Sequence, residues 1–274
     1  MQLRFRVLGP LEVCGQSVLG TSPIRHAILT ALLLRPGQPI GVGEFAELLW
    51  DEPPASAAAN IRSHVTTLRQ ELDGIELGLS HQLRTFRGTQ RGYGLQAAPG
   101  DFDLPMFVEA ARRGRSRLQD NALEAAIGSL EEAAALWRGP FGQALPPTHW
   151  FNAHVAGLNN ARFDALQDLF TALVLARRTD MLAYRIERAI AEAPYRQRLW
   201  ELLTAVHCVN GDAVNALEAI KRCQELFAVD LGLDLPPSIE AMRVAALNWS
   251  PDQALQLVAA QVRTTDASAS PSGS

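Results

Sequence analysis

The chain has 274 residues, a net charge of −4 and 47% apolar residues. That is enough for one large domain or two medium ones with full cores, and too weakly charged for a polyelectrolyte tail. Apolar runs fall short of the roughly 18 residues a membrane span needs, and the start, MQLRFRVLG, is too short and strand-like for a secretory leader. A protein of the cytoplasm is expected, with Cys14, Cys208 and Cys223 as reduced, packed thiols.

Leu3, Phe5 and Val7 alternate with Arg4 and Arg6, which predicts a strand. Gly9-Pro10 turns the chain, and residues 11–13 return beside it. Gly15-Gln16 turns it again, into a short third strand at 17–19. The period then changes. Residues 23–34 carry Ile24, Ala27, Ile28, Ala31 and Leu32 at helical spacing, and Pro36-Gly37 ends the helix. Residues 42–50 predict a second helix. After the break Asp51-Glu52-Pro53-Pro54, Ser56 is placed to cap a third, running to about Leu72. Residues 83–87 and 92–95 read as a β-hairpin with its tip at Gly88 to Gln90.

From Ala97 to Gly100 there is a joint, and helices follow it: 103–119, 122–137, 149–178, 181–193, 195–209, 213–229 and 238–247. Trp200, Leu203, Gly211, Ala216 and Ala219 approximate a tetratricopeptide hairpin, with small residues where the helices cross. Such pairs bury their faces only by stacking. Residues 263–274, rich in Ser and Ala, read as a disordered tail or linker. Charge divides the same way: residues 1–97 hold nine Arg against eight acidic residues, the rest sixteen basic against twenty-one acidic.

Signatures of catalysis are missing. There is no GxxxxGK[ST] and no HExxH, and Gly92-x-Gly94 lacks both the third glycine and the helix of a dinucleotide loop. The histidines have no spacing that closes a metal site. Glu124, Glu131 and Glu132 read as a solvated helix face. The chain is expected to be neither an enzyme nor a cofactor binder.

The third helix is more informative. Ile61, Val65, Leu68 and Leu72 form one stripe, and Arg62, Ser63, Thr66 and Gln70 lie opposite. Small polar residues beside Arg suit close approach to a DNA groove, where Arg can pair with guanine and Gln with adenine. Two helices, a break, a third helix and a hairpin make a winged helix–turn–helix, whose third helix enters the major groove. Arg62, Ser63, Thr66 and Gln70 are then base-facing. Thr67, Arg69, Arg84, Arg87, Arg91 and Arg25 are the candidates for the DNA backbone.

The stretches FRVLGPLEV, ALLLRPGQPI, ELLWDEPPASA, NIRSHVTTLRQEL and TFRGTQRGYGL, followed by DFDLPMF and ALWRGPFGQAL, resemble the Streptomyces antibiotic regulatory protein family. The stretch from QRLWELLTAVHC to LPPSIEAM resembles its bacterial transcriptional activation domain. The resemblance runs from residue 3 to about 250. It implies a mainly α protein with a small β part: an OmpR-like winged helix–turn–helix at 1–97 and a tetratricopeptide-like array at 101–262. It further implies a nucleoid-associated activator of antibiotic gene clusters that binds direct repeats of double-stranded DNA as side-by-side protomers. Its partner would be RNA polymerase, including the sigma factor, with the loop from Asp51 to Ala55 facing polymerase or DNA backbone. The chain carries Ile24, His26, Ala58, Ala59, Thr67 and Gln70 where family members often carry basic residues. Each missing cation removes a phosphate contact, so a lone protomer is expected to bind weakly. The alternative is a protein-interaction regulator whose helical array binds a partner and whose winged helix binds DNA weakly or not at all.

Overall fold

The structure, a computed structural model, describes residues 3–17, 22–87 and 91–269, with side chains up to 262. The expected hairpin tip at Gly88 to Gln90 and the expected strand residues Val18 and Leu19 lie outside the described residues. The chain divides into two compact units, residues 1–109 with 133–162 and residues 110–132 with 163–274.

The first unit opens with β1 (Phe5–Arg6), β2 (Glu12–Val13) and β3 (Gln16–Ser17), an antiparallel sheet in that order. α1 (Pro23–Leu34) follows. The Ser22 hydroxyl caps it by accepting from the Arg25 N–H, and Pro23 fits its first turn. Residues Ala27 to Leu33 are all buried, so α1 is the central helix of this unit. β4 (Ile40–Gly41) leads into α2 (Val42–Leu49), and α3 runs Ala57–Ile75. Ser56 does stand at the start of α3, but its side chain makes no capping bond; its hydroxyl accepts from the Asn60 amide instead.

β5 (Leu83–Arg87) and β6 (Arg91–Leu95) form the hairpin, with Leu83 opposite Leu95 and Arg87 opposite Arg91. β4, which the sequence pattern did not reveal, joins its other edge, pairing Ile40 with Tyr93 and Gly41 with Gly92. Two glycines make this possible. A Cβ on Gly92 would stand 2.8 Å from the Ile40 carbonyl oxygen, and one on Gly94 would stand 2.8 Å from the Phe86 ring.

The first unit is closed by later chain. The carboxylate of Asp103, at the start of α4 (Asp103–Gln119), is fully buried and accepts from the Val7 and Leu8 N–H groups at 2.9 Å each. Burial pushes this carboxyl above its usual range, against the pull of those N–H donors. The Trp137 ring meets Phe107 edge-on at 5.3 Å, and the Arg138 N–H donates to Leu8. The Thr148 hydroxyl donates to the Leu48 carbonyl at 2.8 Å, and the His149 N–H donates to Asp51.

The second unit is helical hairpins. It takes residues 110–132 from α4 and α5 (Leu123–Ala135), and 163–175 from α6 (His149–Leu175). It continues with α7 (Leu182–Glu192), α8 (Gln197–Val209), α9 (Ala213–Leu231), α10 (Pro237–Leu247) and α11 (Pro251–Ala269). α8 is its central helix, with buried residues on every side. Ala205, Ala216 and Ala219 are buried, as the repeat pattern requires, and Asp212 caps α9 by accepting from the Asn215 N–H. Buried Glu201 accepts from Arg198 at 3.0 Å and Gln197 at 2.8 Å, and from the Ser238 hydroxyl. Such partners are what make a buried carboxylate tolerable. One sequence expectation differs from the structure here. The backbone of α11 is helical to Ala269, beyond residue 263 where a disordered tail was expected; alanines at 267 and 269 favour helix. Glu124, Glu131 and Glu132 lie on a solvated face, as expected, where they pair with Arg178 at 3.1 Å, Arg185 at 2.8 Å and Arg113 at 2.8 Å.

Candidate nucleic-acid interface

The sequence of α3 produces a helix of two faces. Ala57, Ile61, Val65, Leu68 and Leu72 are buried. On the other side Arg62, Ser63, Thr66 and Gln70 are all exposed. The four expected base-facing residues therefore lie together on one arc. The Thr66 hydroxyl donates back to the Arg62 carbonyl at 3.0 Å, and that of Thr67, half-buried, to the Ser63 carbonyl at 3.3 Å. Both hydroxyls remain able to accept, and the arc carries no ion pair among the described residues.

The end of α3 is fixed sharply. Asp73 accepts from the Gly78 and Ser80 N–H groups, and Gly78 takes the left-handed φ of +86°. These bonds hold the Asp73 carboxyl below the usual range, the Ser80 hydroxyl contributing most. A 3₁₀ turn at Leu79–Gln82 then delivers the chain into β5. Arg84, Arg87 and Arg91 are exposed on the hairpin, with Arg87 opposite Arg91 and Arg84 on the other face of β5.

Two of the expected backbone ligands have partners inside the protein. Arg25 is mostly buried and bound to Glu71 of α3 at 3.0 Å, which joins α1 to α3. Arg69 donates to the Leu83 carbonyl at 2.7 Å and the Thr85 hydroxyl at 2.8 Å, and its guanidinium lies 5.8 Å from the centre of the Tyr93 ring. Glu71, Thr85 and Tyr93 are thus parts of the site that sequence reasoning missed. For Arg69 the sequence shows its place on the helix but not its partners. It follows Leu68 and precedes Leu72 by three, at the inner edge of the arc. Nothing in the sequence announces the pairing of Arg25 with a residue 46 positions away.

His64, on the same helix, is half-buried, and its pKa is lowered by burial and by Arg25 nearby. It stays neutral at physiological pH and adds no charge to the interface. Among the described residues no group of His, Cys, Asp and Glu is arranged to hold a metal ion.

A winged helix–turn–helix unit with an exposed polar arc and cationic wing, in one chain with stacked helical hairpins, defines a class: the two-part transcriptional regulators. Residues 102–247 match the bacterial transcriptional activator domain family, and residues 16–95 match the C-terminal family of transcriptional regulatory proteins. The chain belongs to the bacterial transcriptional activator domain family, in the two-domain arrangement of the Streptomyces antibiotic regulatory proteins.

The transcriptional regulatory protein EmbR of Mycobacterium tuberculosis is 28% identical over 253 residues, which is 91% of this chain and 64% of EmbR. This chain thus spans less than two-thirds of the length of that relative. The regulatory protein AfsR of Streptomyces coelicolor is 29% identical over 274 residues, 98% of this chain and 26% of AfsR. The transcriptional regulator RedD of the same organism is 23% identical over 236 residues, 84% of this chain and 66% of RedD. A solved structure of M. tuberculosis EmbR in complex with a low-affinity phosphopeptide superposes with a TM-score of 0.81 at 27% identity, covering 97% of this chain and 70% of that one. These relatives are transcriptional regulators, not enzymes.

Proposed function

We propose that this chain is a sequence-specific DNA-binding activator of a secondary-metabolite, antibiotic-type gene cluster. It binds direct repeats near promoters as side-by-side protomers and recruits RNA polymerase through its sigma factor. Residues 1–97 carry the DNA contacts, residues 101–262 form the activation domain, and the protein works on the nucleoid in the cytoplasm. Among the described residues no helix is long and apolar enough to cross a membrane.

One observation carries this reading: the exposed arc of Arg62, Ser63, Thr66 and Gln70 lies on a helix anchored by its opposite face and followed by a wing bearing Arg84, Arg87 and Arg91. Arg62 reads a base edge, Ser63, Thr66 and Gln70 complete the readout, and the wing arginines hold phosphates. Thr67 is available to a phosphate through its hydroxyl oxygen. Arg25 and Arg69 position the helix and the wing rather than the DNA.

Recovery of bound DNA across the source genome, followed by gel shifts on the recovered site, tests the reading. Arg62→Ala should cost about 1–3 kcal/mol on the recovered site and relax preference at one position. Arg87→Ala should weaken recovered and random duplex alike. Wild-type binding by both variants would overturn the assigned docking.

The second reading, a protein-interaction regulator with little hold on DNA, draws on one finding. Two of the expected cations are engaged inside the protein. Absence of any retention on random duplex at low salt would favour it.

A further inference from the structure

We propose that Arg69 is the positioning residue that sets the wing against the recognition helix, and that it does not contact phosphate. The inference rests on the docking proposed above, in which α3 and the wing meet DNA together.

The guanidinium of Arg69 spans both strands of the hairpin. One nitrogen, Nη2, donates to the Leu83 carbonyl at 2.7 Å and to the Thr85 hydroxyl at 2.8 Å, both on β5. The plane of the group lies within 5.8 Å of the centre of the Tyr93 ring on β6. Tyr93 in turn pairs with Ile40 of β4 and packs against Phe45 of α2, with ring centroids 6.4 Å apart. Among the described residues, Arg69 is the one α3 side chain that hydrogen-bonds to either strand of the wing. Asp73 fixes the turn that leads into β5, but its bonds go to Gly78 and Ser80, before the strand starts.

The geometry determines what Arg69 can do. A guanidinium can donate to both oxygens while its flat group lies over a ring; a lysine ammonium has donors enough for both oxygens, but its stem is shorter and it has no planar group to set over Tyr93. A wing held at one angle reaches its groove without a further ordering cost once α3 has docked. A loosened wing must be ordered on binding, and affinity falls although every wing cation is still present.

Two variants separate positioning from phosphate contact, measured on random-sequence duplex at low salt with folding checked by thermal melt. Arg69→Lys keeps the charge but shortens the reach and removes the planar group over Tyr93. Thr85→Val keeps the shape of residue 85, removes one acceptor and touches no charge. Positioning predicts that each weakens binding about three- to ten-fold, the equivalent of about one hydrogen bond. It also predicts that both losses shrink to within about two-fold in an Arg87→Ala background, because the wing's contribution is then already reduced. Phosphate contact predicts that Lys rescues and that Thr85→Val, by releasing Arg69, leaves binding unchanged or tighter; that result overturns the proposal. An Arg87→Ala protein that binds random duplex like wild type would show instead that the wing does not dock. That outcome overturns the docking reading, and this inference with it, and is told apart because it needs no change at Arg69.

Discussion

Asp103 shows how much one side chain can hold. Its two oxygens satisfy the Val7 and Leu8 N–H groups inside the first unit. Asp103→Ala orphans both donors, and each buried unpaired group costs roughly 1–3 kcal/mol, so the denaturant midpoint should fall markedly. The carboxyl is also expected to leave a pH signature. Its folded pKa lies above the usual 3.8, chiefly through burial. Between those two values the folded state binds more proton than the unfolded chain. The stability Asp103 contributes therefore declines as pH rises through that window, and is fully present only below it. Subtracting the non-titrating Asp103→Asn curve from the wild-type curve, from about pH 3 to about pH 7, should expose that decline. The thiols give a second check at this scale. Burial pushes Cys208 and Cys223 up to about 11, whereas Cys14 is only partly buried. A thiol reagent near neutral pH should label Cys14 alone in the native protein, and the other two only after denaturant is added.

The helices of the second unit put two glycines in opposite circumstances. Gly114 of α4 faces Leu130 of α5 so closely that a Cβ would stand 2.5 Å from its Cγ, while a Cβ on Gly128 would meet nothing within 4 Å. Gly114→Ala should destabilise by roughly 1–3 kcal/mol through overpacking. Gly128→Ala, in the interior of α5, should stabilise by about 0.5–1 kcal/mol. Thermal melts of the two variants should move in opposite directions. Most elements could be read from the sequence because their periods are local: α1 at Pro23–Leu34 and α3 with its stripe of Ile61, Val65, Leu68 and Leu72 follow from spacing alone. β4 was missed because two residues carry no period, and its existence depends on Gly92 and Gly94 far along the chain. The exposed arc could be read from α3 by itself. The engagement of Arg25 by Glu71 and of Arg69 by Leu83 and Thr85 could not, because a cation in a sequence looks the same whether its partner is a phosphate or a distant side chain.

Charge across the protein gives one further expectation. On the docking proposed above, with Arg25 and Arg69 engaged internally, phosphates would meet three wing arginines, Arg84, Arg87 and Arg91. Each phosphate neutralised on duplex DNA contributes about −0.9 to the slope of log affinity against log salt. A single protomer should therefore show a slope of about −3, against roughly −4.5 if Arg25 and Arg69 also reached the backbone. A salt titration with one half-site distinguishes these values. So shallow a slope makes occupancy depend on tandem sites, where a second protomer multiplies the hold. The bond between the Thr148 hydroxyl and the Leu48 carbonyl has its own consequence, in time rather than in space. The chain emerges from the ribosome N-terminus first, so the helix that would read DNA is made about 70 residues of synthesis, at roughly 5–20 residues per second, before Thr148 arrives. For those seconds the nascent chain already carries α3 but not the segment that bonds to Leu48, and a polypeptide interrupted in that interval would leave the Leu48 carbonyl without Thr148.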